Sequence, residues 1–268
     1  MKIAVSGKGG TGKTFVAGSL ARAFSEDGYR TLALDADTSP NLGLTLGISP
    51  DELRALTPLS ENHDLIGAKT GTDYPGVYRL SFEVDDIVRD AVIPTPAGPG
   101  LIVMGTVRSM GGGCACPAHS LVREVMRHLI VDRTEVIIMD MEAGVEHLGR
   151  GTAGSVDMML VITDATVRSL DAARSIVSLA RQGGIPRLGL VGNRVRDLHQ
   201  EEIIRAAARR MAIPVEGMIP YDQAVADAEV DSPAISVVND SPSRKEIDRI
   251  KKRILDRHSN DERMVAGG

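Results

Sequence analysis

The sequence predicts an α/β fold, a doubly wound, mostly parallel sheet of about seven strands with helices on both faces. Three observations predict it: continuously apolar runs recur along the chain, helix-periodic stretches separate them, and a glycine-rich turn follows the first run. Strands covered on both faces read as unbroken apolar runs rather than alternating ones, so this pattern indicates a parallel sheet between helical layers.

The expected strands are Ile3–Val5, Thr31–Leu34, Leu101–Met104, Val136–Met139, Met158–Ile162, Leu188–Val191 and Val215–Ile219. Between them, Val16, Leu20 and Phe24, then Leu121, Val125 and Leu129, then Leu170, Ile176 and Leu179, and finally Ile203 to Met211 recur at helical spacing. Residues 1–258 read as one domain. Within it, residues 50–99 carry Pro50, Pro58, Pro75, Pro94, Pro96 and Pro99 and read as a loop-rich insertion of short elements. Residues 259–268 form a polar tail expected to fray.

Composition excludes several classes. The 268 residues are 43% hydrophobic and 25% charged, as in ordinary globular enzymes and unlike disordered chains. Aromatics make up 3%, with no Trp, so stacking platforms for single-stranded nucleic acid are nearly absent. A net charge of −5 argues against a general nucleic-acid binder. No apolar run is long enough to span a bilayer, and Gly7, Gly9 and Gly10 interrupt the N-terminal run before it could serve as a secretory signal. Two Cys one residue apart make no disulfide framework. A cytoplasmic location, with neither membrane nor nucleic acid as partner, is the expectation.

The chemistry begins at Gly7-Lys8-Gly9-Gly10-Thr11-Gly12-Lys13-Thr14, which fits G-x-x-x-x-G-K-[ST]. Glycines let backbone N–H groups close around phosphate oxygens, Lys13 brings positive charge to the β and γ phosphates, and the Thr14 hydroxyl can ligate Mg²⁺. The helix that follows turns its N-terminal dipole towards the anion. Lys8 is a second lysine within the loop; it is either a solvated charge or a group that reaches a partner's nucleotide. Asp35 and Asp37 end the second strand, where carboxylates of an open α/β sheet face the ligand crevice. One can hold Mg²⁺ through water while the other orients the attacking water. Asp140, after four apolar residues, fits a Walker B aspartate, and Glu142-Ala143-Gly144 supplies a joint for a segment sensing the γ-phosphate.

Base preference follows from Asn193-Arg194-Val195-Arg196, which lacks the aspartate of the guanine-reading Asn-Lys-x-Asp and so favours adenine. Pro220, Tyr221 and Asp222 form a second candidate for the base pocket, or a plain turn.

Both cysteines fall in Gly111-Gly112-Gly113-Cys114-Ala115-Cys116-Pro117. A glycine loop before a helix N-terminus lowers thiol pKa, and two thiolates are half of a tetrahedral S₄ site. A two-fold dimer presents the same patch twice and would complete it. Thiolates suit Zn²⁺, Cu⁺ or an Fe–S cluster, and four sulfurs alone do not select nickel. His119 is a weaker candidate ligand, and His147 no stronger.

With these motifs in hand, the chain resembles the MinD-type branch of P-loop ATPases, which includes ParA and the nitrogenase iron protein. More narrowly, it resembles the CooC-type nickel-insertion ATPases that mature carbon monoxide dehydrogenase. The narrow resemblance rests on Cys114-Ala115-Cys116, the run Asp140 to Thr152, Val156 to Met159 and Ile219 to Tyr221, and so covers most of the chain. It implies an ATP-hydrolysing, Mg²⁺-dependent homodimer binding ATP or ADP, with Lys8 acting in trans and Lys13 in cis. Asp37 would orient water, and Asp140 would lie in the second switch. Nucleotide contacts are expected from Gly9, Gly10, Thr11, Gly12, Lys13, Thr14, Phe15, Asn193, Pro220, Tyr221 and Asp222. Cys114 and Cys116 of both chains would share Ni²⁺, or Zn²⁺ in the same site, on its way to carbon monoxide dehydrogenase as client. Phe15 departs from the family, which usually has a hydroxyl residue there facing the α-phosphate.

Three alternatives remain open, one of them a pure metallochaperone with a vestigial P-loop, which measurable ATP turnover would exclude. A partitioning ATPase would use the basic helix Ser243–Arg257 on a membrane, although Ile247, Ile250 and Ile254 fit equally a last helix packed on the sheet. An Fe–S carrier ATPase would use the cysteines for a cluster, although related carriers use C-x-x-C.

Overall fold

The computed structural model describes residues 1–37, 39–70, 84–105, 124–129, 135–141, 156–231 and 240–266. All seven expected strands are present: β1 (Lys2–Gly7), β2 (Thr31–Ala36), β4 (Gly100–Val103), β5 (Val136–Met141), β6 (Met158–Thr163), β7 (Leu188–Val195) and β8 (Val215–Pro220). An eighth, β3 (Ile93–Pro94), was not expected. It pairs antiparallel with β4 at the margin of the sheet, the one place where a proline's missing N–H costs no ladder bond. The order is β3-β4-β2-β5-β1-β6-β7-β8, and every other pair is parallel.

Helices cover both faces. Alternate residues of β1 divide between two cores, with Ala4 in one and Ile3 and Val5 in the other. The first core lies under α5 (Val84–Ala91), α6 (residues 124–129), α7 (Val167–Gln182) and α8 (Leu198–Met211). The second lies under α1 (Lys13–Glu26), the short α2 (Leu42–Thr45) and α10 (Pro242–Ala266). The proline-rich stretch holds α3 (Pro50–Ala55), closed by a Ser49–Glu52 capping box, and α4 (His63–Thr70), whereas α9 (Gln223–Asp231) follows β8. Ile247, Ile250 and Ile254 of α10 are buried in the second core, so this basic helix is the sheet's last cover. The tail expected to fray is helical: α10 continues to Ala266, because Glu262, Arg263, Met264 and Ala266 favour helix whether or not they are polar.

α1 and α2 meet where α1 has no side chain. A Cβ built on Gly18 would lie 2.0 Å from the Thr45 hydroxyl oxygen and 2.8 Å from its Cβ. Gly18→Ala is therefore expected to destabilise by about 1–2 kcal/mol, the overpacking cost less the gain in helix propensity, as read by urea denaturation. A stability gain would show that α2 moves aside without cost.

Candidate nucleotide-binding site

The carboxyl ends of the central strands form the crevice. After β1 the chain turns through Gly10 and Gly12, both at φ 84°, a conformation that excludes ordinary side chains. Gly12 has a second reason to be glycine, since a Cβ there would sit 2.3 Å from Asn193 Nδ2. Thr11 closes the turn, its N–H and hydroxyl both donating to the Lys8 carbonyl at 3.2 and 2.8 Å. Gly12 caps α1 with no side-chain acceptor, leaving the first-turn N–H groups facing the loop. Lys8 is exposed at the rim, and Phe15 is buried in the core.

The acidic residues cluster behind this loop. Asp35 and Asp140 are register partners on β2 and β5, and both are buried. Asp35 accepts from the N–H of Leu42 at 2.8 Å and of Asp37 at 3.2 Å, which fixes the turn after β2. Of the two carboxylates expected at this strand end, Asp35 is therefore the anchor, while Asp37 reaches the crevice and forms an ion pair with Lys13. Ser39 N–H holds the second Asp37 oxygen at 3.1 Å. Both oxygens of Asp140 are buried, and among the described residues neither has a well-formed hydrogen bond.

Burial pushes Asp35 up to about 7, helped by the Asp140 charge and opposed by its backbone hydrogen bonds. Burial likewise pushes Asp140 up to about 6, against the pull of Lys13 and the Thr14 hydroxyl. Burial lowers Lys13, but the surrounding Asp140, Asp37 and Asp35 outweigh it and hold the ammonium above its ordinary value. Among the described residues, Lys13 faces three carboxylates and does not by itself balance their charge. The orphaned, buried Asp140 carboxylate beside Thr14 fits Mg²⁺, which takes few protein ligands and keeps waters and substrate phosphates.

Asn193 ties the base side to the phosphate side: buried, it donates from Nδ2 to the Thr11 carbonyl at 2.7 Å. Beside it opens a cavity of about 250 Å³ lined by Phe15, Asn193, Pro220, Tyr221 and Asp222, all expected from the sequence, and by Arg194 and Arg196. Asp222 lines it while acting structurally. Its Oδ1 accepts from Ala224 N–H at 3.1 Å and its Oδ2 from the Ser243 hydroxyl at 2.8 Å. Burial raises its pKa, yet the hydrogen bonds from Ser243 and Ser241 hold it below the usual carboxylate range. The two arginines were missed as site residues, although Asn193-Arg194-Val195-Arg196 at a strand end was their signal. Arg196 stacks 3.8 Å from the Tyr221 ring centre.

Cys114, Cys116, His119, Glu142, Ala143, Gly144 and His147 lie outside the described residues. Among the described residues, no group of three or more His, Cys, Asp or Glu could by itself hold a metal ion, and no helix is long and apolar enough to cross a membrane.

With this geometry, the likeness to known proteins is specific. The chain is 40% identical over 259 residues to an uncharacterized ATP-binding protein of Methanocaldococcus jannaschii, covering 95% of this chain and 98% of that one. It is also 40% identical over 231 residues to the carbon monoxide dehydrogenase accessory protein CooC of Rhodospirillum rubrum, covering 85% of this chain and 87% of that one. The septum site-determining protein MinD of Pyrococcus horikoshii, solved with Mg-ADP, shares the fold at a TM-score of 0.65 and 23% identity, covering 94% of this chain and 95% of that one. Residues 2–233 match the family described as the CobQ/CobB/MinD/ParA nucleotide binding domain. The chain belongs to that family of P-loop ATPases.

Proposed function

We propose that this chain is a nickel-handling ATPase that works as a homodimer in maturing carbon monoxide dehydrogenase or a related Ni–Fe–S enzyme. The reading rests on 40% identity to CooC across most of both chains, joined to Cys114-Ala115-Cys116. Cys114 and Cys116 of two protomers hold Ni²⁺, or Zn²⁺ in its stead, as cargo. The reaction that drives delivery is ATP and water to ADP and phosphate.

The described residues give this chemistry a starting arrangement. Lys13, Thr14 and the N–H groups of Gly9 to Phe15 bind the phosphates, and Lys8 reaches across to the partner's nucleotide. Thr14 and Asp140 would hold Mg²⁺, which when bound would supply positive charge against the phosphate oxygens. When a phosphate takes the Lys13 ammonium, the Asp37 carboxylate is released from its ion pair and can accept a hydrogen bond from the attacking water. The base sits beside Asn193, Pro220 and Tyr221, where among the described residues lining the cavity the one aspartate, Asp222, is engaged by Ser243, which favours adenine over guanine.

An anaerobic Ni²⁺ and Zn²⁺ titration with mass by light scattering tests the cargo site. One metal per dimer is expected, lost at least about 100-fold in affinity when a Cys114→Ser/Cys116→Ser variant replaces thiolates with neutral hydroxyls. Metal binding that survives the double substitution would demote the cysteines to structure. The partitioning reading has less support, because the isoleucines it would offer to a membrane are buried. The Fe–S carrier reading rests on 27% identity to the iron-sulfur cluster carrier protein of Deinococcus radiodurans, and absorbance near 400 nm in anaerobically purified protein would favour it.

A further inference from the structure

Three of the four large apolar side chains left exposed among the described residues lie on two neighbouring helices: Val167 and Leu179 on α7, and Leu198 on α8. Between these helices opens a surface cavity of about 410 Å³. Its α7 wall runs from Val167 through Leu170 to Arg174, and its α8 wall from Ile203 through Ala206 to Arg210. Both walls keep the spacing i, i+3, i+7, so each is one helix face, about 11 Å long at 1.5 Å per residue. Leu170, Ile203 and Ala206 are only half-buried, and Ala206 has nothing beyond Cβ with which to fill the space. Beyond Arg174 and Arg210 the two helices are tied together. Arg181 of α7 donates from Nη2 to the carbonyls of Met211 and Ala212 at the end of α8, at 2.7 and 3.1 Å. The groove is therefore preformed, which lowers the ordering cost of filling it.

Charge says what fits there. Residues 167–211 contain nine arginines and no lysine against four carboxylates, a surplus of five in a chain whose net charge is −5. Arg174 and Arg210 bring that charge to the groove, and both are exposed; Arg174 also donates to Asp171 at 2.6 Å. Guanidinium forks match carboxylates bidentately. A second copy seated on this face would set arginine against arginine. A bilayer fits poorly too, since neither helix has the aromatic residues that seat at a membrane interface.

We propose that the α7–α8 groove docks an acidic amphipathic helix of a partner protein, whose apolar side chains enter between the two helices and whose carboxylates meet Arg174 and Arg210. Recognition of a helix in a groove uses apolar anchors at the helical spacing that both walls display. The groove belongs to the helical layer over the first core, and this docking is independent of what the crevice binds.

The test is fluorescence anisotropy on the full chain with two synthetic helical peptides, which share a leucine stripe and carry either Glu or Lys at every polar position. The Glu peptide is expected to bind at least about tenfold more tightly than the Lys peptide, and to weaken as salt rises. Arg174→Glu/Arg210→Glu should weaken it at least about tenfold and reverse the preference. Ala206→Leu, a good helix former that fills the groove, should weaken it as well. Both variants change exposed or half-buried positions, and melting temperatures near that of wild type show the fold intact. Equal binding of the two peptides, or binding of neither, would overturn the docking. So would a Glu peptide whose affinity survives both variants. Phosphatidylserine vesicles or duplex DNA that lose binding on charge reversal, and keep it in Ala206→Leu, would make this face a polyanion surface instead. A dimer mass by light scattering that Ala206→Leu halves would give the groove to a second copy.

Discussion

Asp140→Asn is expected to reduce ATP turnover by at least about 100-fold and, in the same protein, to raise the melting temperature of the nucleotide-free form. The two effects have one cause. Asp140 is buried beside the register-paired Asp35, and among the described residues neither of its oxygens has a well-formed hydrogen bond. Its pKa of about 6, against 3.8 for an ordinary aspartate, means that the folded, ligand-free state resists its charge. Above pH 7 that resistance costs about 2–3 kcal/mol, some of which an asparagine, still lacking partners, does not recover. A gain of about 1–2 kcal/mol, or roughly 3–6 °C in melting temperature, is the expected result. The sign with pH follows from the direction of both shifts. Raised carboxyls contribute stability that is fully present below about pH 4 and lost as pH rises through 6 for Asp140 and 7 for Asp35. Between pH 5 and pH 8 the wild type should therefore lose more stability than Asp140→Asn, and Mg-ADP should restore more to the wild type. Parallel pH profiles for the two proteins would mean that Asp140 is not charged against its surroundings, and its place in metal binding would lose its physical basis.

How much of this could be read from sequence depends on the range of the interactions. The phosphate turn was legible because its requirements are local: Gly10 and Gly12 must adopt positive φ within a few residues of Lys13. The seven long strands were legible because burial on both faces leaves a continuous apolar run. Asn193 and Pro220 to Asp222 read from sequence as two separate candidates for the base pocket, and they line one cavity with Phe15 because strand ends of a parallel sheet share one edge. The division of work between Asp35 and Asp37 was not legible. Two carboxylates one residue apart look alike until the structure shows Asp35 bonded to Leu42 and Asp37 paired with Lys13. Nor was the engagement of Asp222, whose partner Ser243 lies 21 residues further along. Arg194 was visible as a residue, but its φ of 57° and its bond to the Gly10 carbonyl 184 residues away were not.

Substituting the lysine in the same cluster should move stability the opposite way. Lys13→Ala removes an ammonium that faces Asp35, Asp37 and Asp140, and its side chain is itself largely buried. Breaking a buried pair leaves uncompensated charge, so a loss of about 3 kcal/mol is expected alongside the loss of nucleotide binding. This loss should depend on pH. Lys13 holds the Asp140 pKa down, so without it Asp140 stays protonated to higher pH. At pH 6 protonated Asp140 needs little compensation and the cost of Lys13→Ala falls to the lost Asp37 ion pair; at pH 8 the Asp140 part is added in full. Combining Lys13→Ala with Asp140→Asn should recover part of the stability, with a coupling of about 1–3 kcal/mol at pH 8 that shrinks at pH 6. A Lys13→Ala cost equal at both pH values, with additive double substitution, would assign the contribution of Lys13 to its Asp37 ion pair and the packing of its methylenes, with no share from Asp140. The expected result assigns part of it to the Asp140 charge. On that account the ligand-free site is held together by Lys13 against its own carboxylates, and a phosphate with its Mg²⁺ relieves the same imbalance that the lysine only partly offsets.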